Sequence, residues 1–404
     1  NMTFAFILGH VLLGASLLAL AVDSNAAFVG SAANGSLVLR PASGQQVLVD
    51  GVAFHSLLDR LDTQSEQINQ LDGQLLKHMN GIKCTVSADT TSIVGLGGGW
   101  FGGVAAPNGK IYGIPQNAGA VLIMDPASKT VDITSIVVPN GGAYWAGGVL
   151  AGNGKIYGMP SNANAVLVID PATNTVDYTS VTVPNGDGKW NFGVLARNGK
   201  IYGVPQLAIS VLIVNPATNA TDTTSMTGFD GSGSKWIGGT LAGNGKIYCF
   251  AALASTVLII DPDTNTTDTT SIAGLTGSAK WWGGVLAPNG KIYGIPRDAT
   301  SVLIIDPATN TADITTMAGL SGPWAGGVLA PSGKIYGIPL SATSVLIIDP
   351  ATNTTDTTSL TVPAGDFKWR GGVLADNGQI YGIPALADSA LIIHSSRCTV
   401  TGGL

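Results

Sequence analysis

Charged side chains are scarce in this sequence of 404 residues: they make up 11% of it, and glutamate occurs once, at Glu66. Lysine and arginine number 19 against 25 acidic residues, and this net charge of −6 argues against nucleic acid as a partner. The three cysteines and four histidines show none of the Cys-Cys or His-His spacings that are typical of metal sites. The sequence therefore indicates no metal and no cofactor.

Glycine is abundant instead, with 55 residues, and most of the chain is an internal repeat. Each copy opens with a tryptophan and continues through stretches close to Gly-Gly-Val-Leu-Ala, Lys-Ile-Tyr-Gly-Ile-Pro and Val-Leu-Ile-Ile-Asp-Pro-Ala-Thr-Asn. Successive copies are 43 to 46 residues apart, which is the length of a four-stranded propeller blade. The opening tryptophans predict seven blades and are Trp100, Trp145, Trp190, Trp236, Trp281, Trp324 and Trp369.

The order of turns and apolar stretches within a copy predicts four strands. An Asn-Gly pair after the first stretch indicates a tight hairpin, because both turn residues need positive φ. The last copy lacks a fourth, polar strand, and the matching Asp-Thr-Thr-Ser segment stands before the first copy at residues 89–92. We therefore predict an all-β fold, a seven-bladed β-propeller over residues 83–404, in which the N-terminal strand completes the last blade.

Two of the cysteines fall on one turn of this last blade. In the register of the repeat, Cys84 matches Ala351 and Cys398 matches Asn353. We predict a Cys84–Cys398 disulfide, with two free thiols as the alternative; such a bond needs an oxidising compartment. Cys249 replaces the glycine of a Tyr-Gly pair and is expected to be a buried free thiol.

The first 82 residues divide into three predicted segments. Residues 1–24 contain an uncharged apolar stretch at 4–22, which fits a signal peptide, a barely long enough membrane helix, or a retained helix buried among copies of the chain. We favour retention, so membrane contact is the less favoured alternative. Residues 25–52 read as short strands separated by turns.

Residues 53–82 carry apolar residues at heptad spacing. This pattern predicts a short coiled coil between copies of the chain or an amphipathic helix packed on its own propeller. The expected oligomerisation positions are Phe54, Leu57, Leu61, Ile68, Leu71 and Leu75.

Residues that could carry chemistry repeat from blade to blade, which argues against a catalytic site. The inner strands look nearly the same in every copy, and the propeller contains no glutamate and a single histidine, His394. General acid–base catalysis would therefore depend on aspartate. Lys-Trp pairs could stack on sugar rings, although tryptophans that pack between blades are the simpler interpretation. The tryptophans of these pairs are Trp190, Trp236, Trp281 and Trp369.

Acceptor sequences for N-linked glycans occur at Asn1, Asn34, Asn219, Asn265 and Asn353. The last three fall on the same predicted outer turn of different blades, where a glycan would project freely. Together with the expected disulfide they indicate an extracellular or cell-surface protein whose partners are attached glycans and copies of itself.

The Val-Leu-Ile-Ile-Asp-Pro-Ala-Thr-Asn core resembles the repeat of surface-layer propellers, and the longer unit is similar to tandem repeats in surface proteins of algae and related protists. The resemblance covers roughly residues 84–398. It implies a cell-surface setting and, with the apolar tail, a subunit of an extracellular filament such as a flagellar hair (a mastigoneme-like protein).

From these observations we expect a non-catalytic structural glycoprotein, not an enzyme, which self-assembles through its N-terminal region into a filament or surface coat. Two alternatives stay open. The first is a glycan-binding, lectin-like propeller, and the second is a propeller hydrolase or lyase.

Overall fold

The computed structural model describes the backbone of residues 27–31, 37–40, 48–49, 52–53, 82–139 and 141–400. It describes the side chains of residues 86–139 and 141–395. These described residues form strands and turns, and they include no helix long and apolar enough to cross a membrane. The chain divides into two units, residues 84–397 and residues 1–83 with 398–404.

Two short antiparallel pairs belong to the N-terminal unit. Strand β1 (Ala27–Ser31) pairs with β2 (Leu37–Arg40), and β3 (Leu48–Val49) pairs with β4 (Val52–Ala53). The apolar stretch 4–22 lies outside the described residues, as do Asn1, Asn34 and the six heptad positions between 54 and 75. Retention of the apolar helix and the coiled coil therefore stay predictions.

The larger unit consists of seven four-stranded sheets, which confirms the predicted propeller. The innermost strands, one in each of blades 1 to 7, are β6 (Trp100–Ala105), β10 (Trp145–Leu150), β14 (Trp190–Leu195), β18 (Trp236–Leu241), β22 (Trp281–Leu286), β26 (Trp324–Leu329) and β30 (Trp369–Leu374). The second strands are β7 (Ile111–Pro115), β11 (Ile156–Pro160), β15 (Ile201–Pro205), β19 (Ile247–Ala251), β23 (Ile292–Pro296), β27 (Ile335–Pro339) and β31 (Ile380–Pro384).

The outer half of each blade follows the same order. The third strands are β8 (Leu122–Asp125), β12 (Leu167–Asp170), β16 (Leu212–Asn215), β20 (Leu258–Asp261), β24 (Leu303–Asp306), β28 (Leu346–Asp349) and β32 (Leu391–Val400). The outermost strands are β9 (Thr130–Asp132), β13 (Thr175–Asp177), β17 (Ala220–Asp222), β21 (Thr266–Asp268), β25 (Thr311–Asp313), β29 (Thr354–Asp356) and, for blade 7, β5 (Ile82–Asp89).

The ring closes at blade 7, as the sequence predicts. Strand β5 forms the outer edge of this sheet beside β32, and inner strand β30 contacts β6 of blade 1. Val86 and Ala88 of β5 pack against the apolar cluster between blades 6 and 7. Each inner strand also contacts the inner strands of both neighbouring blades, so the seven sheets enclose a common axis.

The apolar core lies between adjacent blades and is closed by a repeated polar contact. Tyr112 of blade 1 is fully buried, and its hydroxyl accepts a hydrogen bond from Asn108 Nδ2 at 2.9 Å. The same amide donates to the carbonyl of Pro171 in blade 2 at 3.1 Å. The Asn-Gly asparagine therefore both shapes its hairpin and ties its blade to the next one.

The recurring outer aspartates also have a structural role. Asp222 accepts hydrogen bonds from the backbone N–H groups of Thr224 and Ser225 at 2.7 and 3.0 Å. The Ser225 hydroxyl and these N–H groups favour the ionised carboxylate and lower the pKa of Asp222 to about 2. The same turn recurs at Asp177 and Asp356, so these carboxylates terminate the outer strands.

Candidate functional site

The inner strands differ from one another at their second residue, which follows the opening tryptophan. In blades 1 to 7 this residue is Phe101, Ala146, Asn191, Ile237, Trp282, Ala325 and Arg370. The third residue is glycine in six blades and Phe192 in blade 3. The seven blades are therefore not equivalent at the positions of the inner strands that line the axis of the ring.

Large side chains from non-adjacent blades meet on this axis. The rings of Phe101 (blade 1) and Phe192 (blade 3) lie edge to face, 5.2 Å apart between centroids. The ring of Trp282 (blade 5) lies 6.5 Å from that of Phe101. We call the group the axial cluster; its members are Phe101, Phe192, Trp282, Arg297 and Arg370, and we include Asn191 because it stands at the second position of its inner strand, next to Phe192.

Two guanidinium groups stack on the aromatic rings of the cluster. The Arg297 guanidinium carbon lies 4.5 Å from the Trp282 ring centroid, and that of Arg370 lies 4.9 Å from the Phe101 centroid and 5.7 Å from that of Trp282. Arg370 also donates from Nη1 to Gln116 Oε1 at 3.1 Å. The aromatic contacts fix both cations while leaving N–H groups free to donate.

Four buried polar atoms of the cluster have no hydrogen-bond partner among the described residues. They are Arg297 Nε, Arg370 Nε, Trp282 Nε1 and Asn191 Oδ1. A buried polar group without a partner costs about 1–3 kcal/mol, and such groups are rare in native proteins. All four atoms belong to residues of the axial cluster, which makes the cluster the candidate site in the described part of the chain.

The two cations are also close enough to repel each other. Burial, and next the positive charge of Arg297, lower the pKa of Arg370 to about 10. Arg297 donates from Nη1 to Asp298 Oδ2 at 2.7 Å. Two guanidinium groups and this one carboxylate leave a net charge of +1, which an anion would neutralise.

Phe192 holds an unfavourable backbone conformation within the cluster. Its φ of 63° falls in the left-handed region, where the equivalent Gly147 and Gly238 both have φ of 73°. A non-glycine residue there costs on the order of 1–3 kcal/mol, and such residues concentrate at functional sites. Its ring fills the space beside Gly147, since a Cβ on that glycine would lie 2.3 Å from Phe192 Cδ1.

The tryptophans of the Lys-Trp pairs lie elsewhere, between the blades. The rings of Trp190, Trp236, Trp281 and Trp369 are 1–4% exposed, so neighbouring blades cover the faces that would stack on a sugar. The adjacent lysines are buried too: Lys280 Nζ donates to the carbonyls of Ala252, Ala254 and Gly277, each at 2.9 Å. These pairs anchor loops between the blades.

The other predicted site residues lie far out on the blades. Asn219, Asn265 and Asn353 are exposed on the turn between the third and fourth strands, with φ of 56°, 53° and 54°. The side chains of Cys84 and Cys398 lie outside the described residues, so the disulfide stays a prediction. Cys249 is a buried free thiol, and burial raises its pKa.

Within the described part of the chain, no three histidine, cysteine, aspartate or glutamate side chains are grouped as metal ligands. Metal-ligand spacing in the sequence gives no sign of the axial cluster, because the polar residues of the cluster are arginine, asparagine and tryptophan. The signal was present in the repeat: Phe192 replaces a glycine, and Arg370 and Trp282 stand where blades 2 and 6 carry alanine.

No protein-family model and no curated protein sequence matches this chain. Solved structures do. Virginiamycin B lyase from Staphylococcus aureus aligns over 77% of this chain and 99% of its own, with a TM-score of 0.63 and 10% identity. A streptogramin B lyase structure aligns over 77% and 97%, with a TM-score of 0.58 and 13% identity.

A third similar structure is the extracellular domain of a putative hybrid two-component system from B. thetaiotaomicron, with a TM-score of 0.57 and 11% identity. It aligns over 79% of this chain and 44% of its own. Identities this low establish the propeller fold alone. The surface-layer or mastigoneme-like type that the repeat suggests has no support among these structures.

These comparisons contradict the expectation of a non-catalytic structural glycoprotein that has no enzymatic activity. Two structures that share the fold over three quarters of the chain are lyases. The expectation failed because it treated the inner strands as alike, whereas their second and third residues build an asymmetric cluster on the axis.

Proposed function

We propose that this protein is a propeller enzyme of the lyase or hydrolase class, which binds an anionic substrate at the axial cluster. The observation that carries the proposal is the pair Arg297 and Arg370, each with a buried Nε that has no partner, held against Trp282 and Phe101. The lyase structures of the same fold support the reaction class.

The arginine pair would supply electrostatic stabilisation. Elimination of a group β to a carboxylate or carbonyl builds negative charge on that oxygen in the transition state. Donors fixed in advance at this oxygen lower the barrier without reorganising during the reaction. Arg297 and Arg370 are fixed by their aromatic contacts, so they can donate to a substrate oxygen with little loss of side-chain freedom.

Asp298 is the candidate general base. Its carboxylate is oriented by the 2.7 Å hydrogen bond from Arg297, the arrangement in which a third group positions a base. In a lyase it would remove the proton from the carbon next to the carboxylate, and in a hydrolase it would take a proton from the attacking water.

The virginiamycin B lyase structure in which a histidine is replaced by alanine is described as that of a catalytically inactive protein. In this chain, the sole histidine among the described residues is His394 of β32, outside the cluster.

Asp298→Asn is expected to reduce turnover about 10²- to 10⁴-fold, the usual contribution of a general base. The assay incubates the protein with carboxylate esters, lactones, virginiamycin B and acidic oligosaccharides, and analyses the products by mass spectrometry. A lyase leaves an unsaturated product with no gain in mass, and a hydrolase adds one water. Asp376→Asn, an exposed aspartate in a hairpin of blade 7, is the matched control. Unchanged turnover in Asp298→Asn would contradict the assignment of Asp298 as the general base. Absence of turnover with every compound would contradict the proposed enzymatic activity.

We also propose that the protein works outside the cell. Support comes from three acceptor asparagines on exposed outer turns, from the resemblance of the repeat to surface-layer propellers, and from the extracellular domain among similar structures. We expect glycans at Asn219, Asn265 and Asn353 of the native protein. Glycopeptide mass spectrometry checks this, and unmodified asparagine at all three would contradict it.

A further inference from the structure

The unpartnered atoms of the axial cluster define the groups that a ligand must offer. Arg297 Nε, Arg370 Nε and Trp282 Nε1 are donors, so the ligand must present acceptor oxygens. Asn191 Oδ1 is an acceptor, while its Nδ2 already donates to Gln206 Oε1 at 3.0 Å. The ligand must therefore also present a donor, such as a hydroxyl group. A carboxylate and a neighbouring hydroxyl on one molecule supply both.

The charge of the site selects among anions. The two guanidinium groups and Asp298 together carry +1, which matches the single negative charge of a carboxylate. A phosphate group carries between about −1.5 and −2 at neutral pH and would leave excess negative charge in a half-buried site. A planar carboxylate also fits the fork of a guanidinium group with two parallel hydrogen bonds.

The aromatic walls favour a ring over a small linear acid. Phe192 and Trp282 are partly exposed, and Phe101, which is 3% exposed, packs against both of them. Such surfaces bury the apolar C–H face of a ring while the N–H groups at their edge bind its polar substituents.

We propose that the axial cluster binds a sugar acid, which is a hydroxylated ring that carries one carboxylate. The sugar acid is either the whole substrate or the end of the substrate that the cluster recognises, and this proposal rests on the proposed function. Arg297 and Arg370 hold the carboxylate, and Asn191 accepts a hydrogen bond from a ring hydroxyl. Neutralisation of the carboxylate by the two arginines acidifies the neighbouring C–H bond, and Asp298, which is paired with Arg297, would remove this proton.

The elimination balances without a further reactant. The proton moves from carbon to Asp298, and the C–H electron pair becomes a C=C bond. The C–O bond at the β position breaks, and its electron pair leaves with the oxygen of the departing sugar, which takes a proton from water. Asp298 then returns its proton to solvent. The products are an unsaturated sugar acid and a free hydroxyl group.

The test is isothermal titration calorimetry of the full chain with galacturonate, with galactose and inorganic phosphate as separate ligands. We expect saturable one-to-one binding of galacturonate and weaker binding of the other two. Arg370→Gln and, separately, Arg297→Gln should weaken galacturonate binding about 10- to 100-fold, because each removes a charged hydrogen bond. Arg197→Gln is the matched control, since Arg197 is an exposed arginine bonded to the Gly243 carbonyl in another part of the ring.

Galactose or phosphate binding as tightly as galacturonate would overturn the ligand class, as would no galacturonate binding or binding that both axial variants retain. A second measurement separates this proposal from the proposed function. If galacturonate binds but no compound is turned over, trigalacturonate included, the ligand class is supported and the proposed enzymatic activity is contradicted. If an uncharged ester is turned over and galacturonate does not compete with it, the ligand class is contradicted and the proposed enzymatic activity is supported.

Discussion

Replacing Trp281 by alanine is expected to lower the free energy of unfolding by about 3–5 kcal/mol, the usual cost of deleting a large buried aromatic side chain. Trp281 is 2% exposed in the core between blades 4 and 5, and its Nε1 donates to the Ser301 carbonyl at 2.8 Å. The substitution leaves a cavity and a carbonyl without its donor, so the two costs add. Chemical denaturation followed by circular dichroism measures the loss.

The next residue along the same strand is the matched control. Trp282 is partly exposed on the axis, and its Nε1 has no partner. Trp282→Ala should cost about 1 kcal/mol of stability, within the usual range for a single substitution, but should abolish tight binding of the ligand. Equal destabilisation by the two substitutions would contradict the division between a structural and a ligand-binding tryptophan.

Removal of the closing strand should have a larger effect. A chain that starts at residue 93 lacks β5, so β32 becomes an unpaired edge and Val86 and Ala88 no longer cover the cluster between blades 6 and 7. We expect the shortened chain to lose its cooperative unfolding transition and to aggregate, because domain stability totals only about 5–15 kcal/mol and exposed strand edges pair with other chains. Size-exclusion chromatography and a thermal melt measure both effects.

A permuted chain shows whether the strand or its position in the sequence matters. Residues 82–92 are moved by a short flexible linker to the position after residue 400, so that the same strand can pair with β32 from the other end. This chain should regain monomeric behaviour and most of the lost stability. A shortened chain as stable as the complete one would show that blade 7 does not need the closing strand.

Most of the fold could be predicted from the sequence, because each element depends on a local signal that is repeated seven times. The Asn-Gly pair at Asn108 marks a hairpin, and the missing outer strand of the last copy identifies the segment ending at Asp89 as its substitute. Where the strand assignment is ambiguous in one copy of the repeat, the other copies decide it. The structure confirms the hairpin and the closing strand, but in the hairpin Gly109 alone has a positive φ, of 76°, and Asn108 does not.

The same repetition concealed the site. Searching for chemistry by residue type favours aspartate and histidine, and in this ring the outer aspartates, such as Asp222, serve turns. Arg370 and Trp282 are ordinary surface or core residues when read singly. Only the closed ring brings blades 1, 3, 5 and 7 together, which joins residues 254 positions apart in the hydrogen bond between Arg370 and Gln116.

The most direct test of the axial site is a nitrogen–proton correlation spectrum of the protein labelled with ¹⁵N in its eight tryptophans, recorded during titration with galacturonate. Seven indole N–H groups donate to backbone carbonyls between the blades, and the eighth, on Trp282, has no partner. We predict that a single indole resonance shifts with saturation and that this resonance is missing from the spectrum of Trp282→Phe. No shift at saturating galacturonate, or a shift confined to the tryptophans between the blades, would contradict the account.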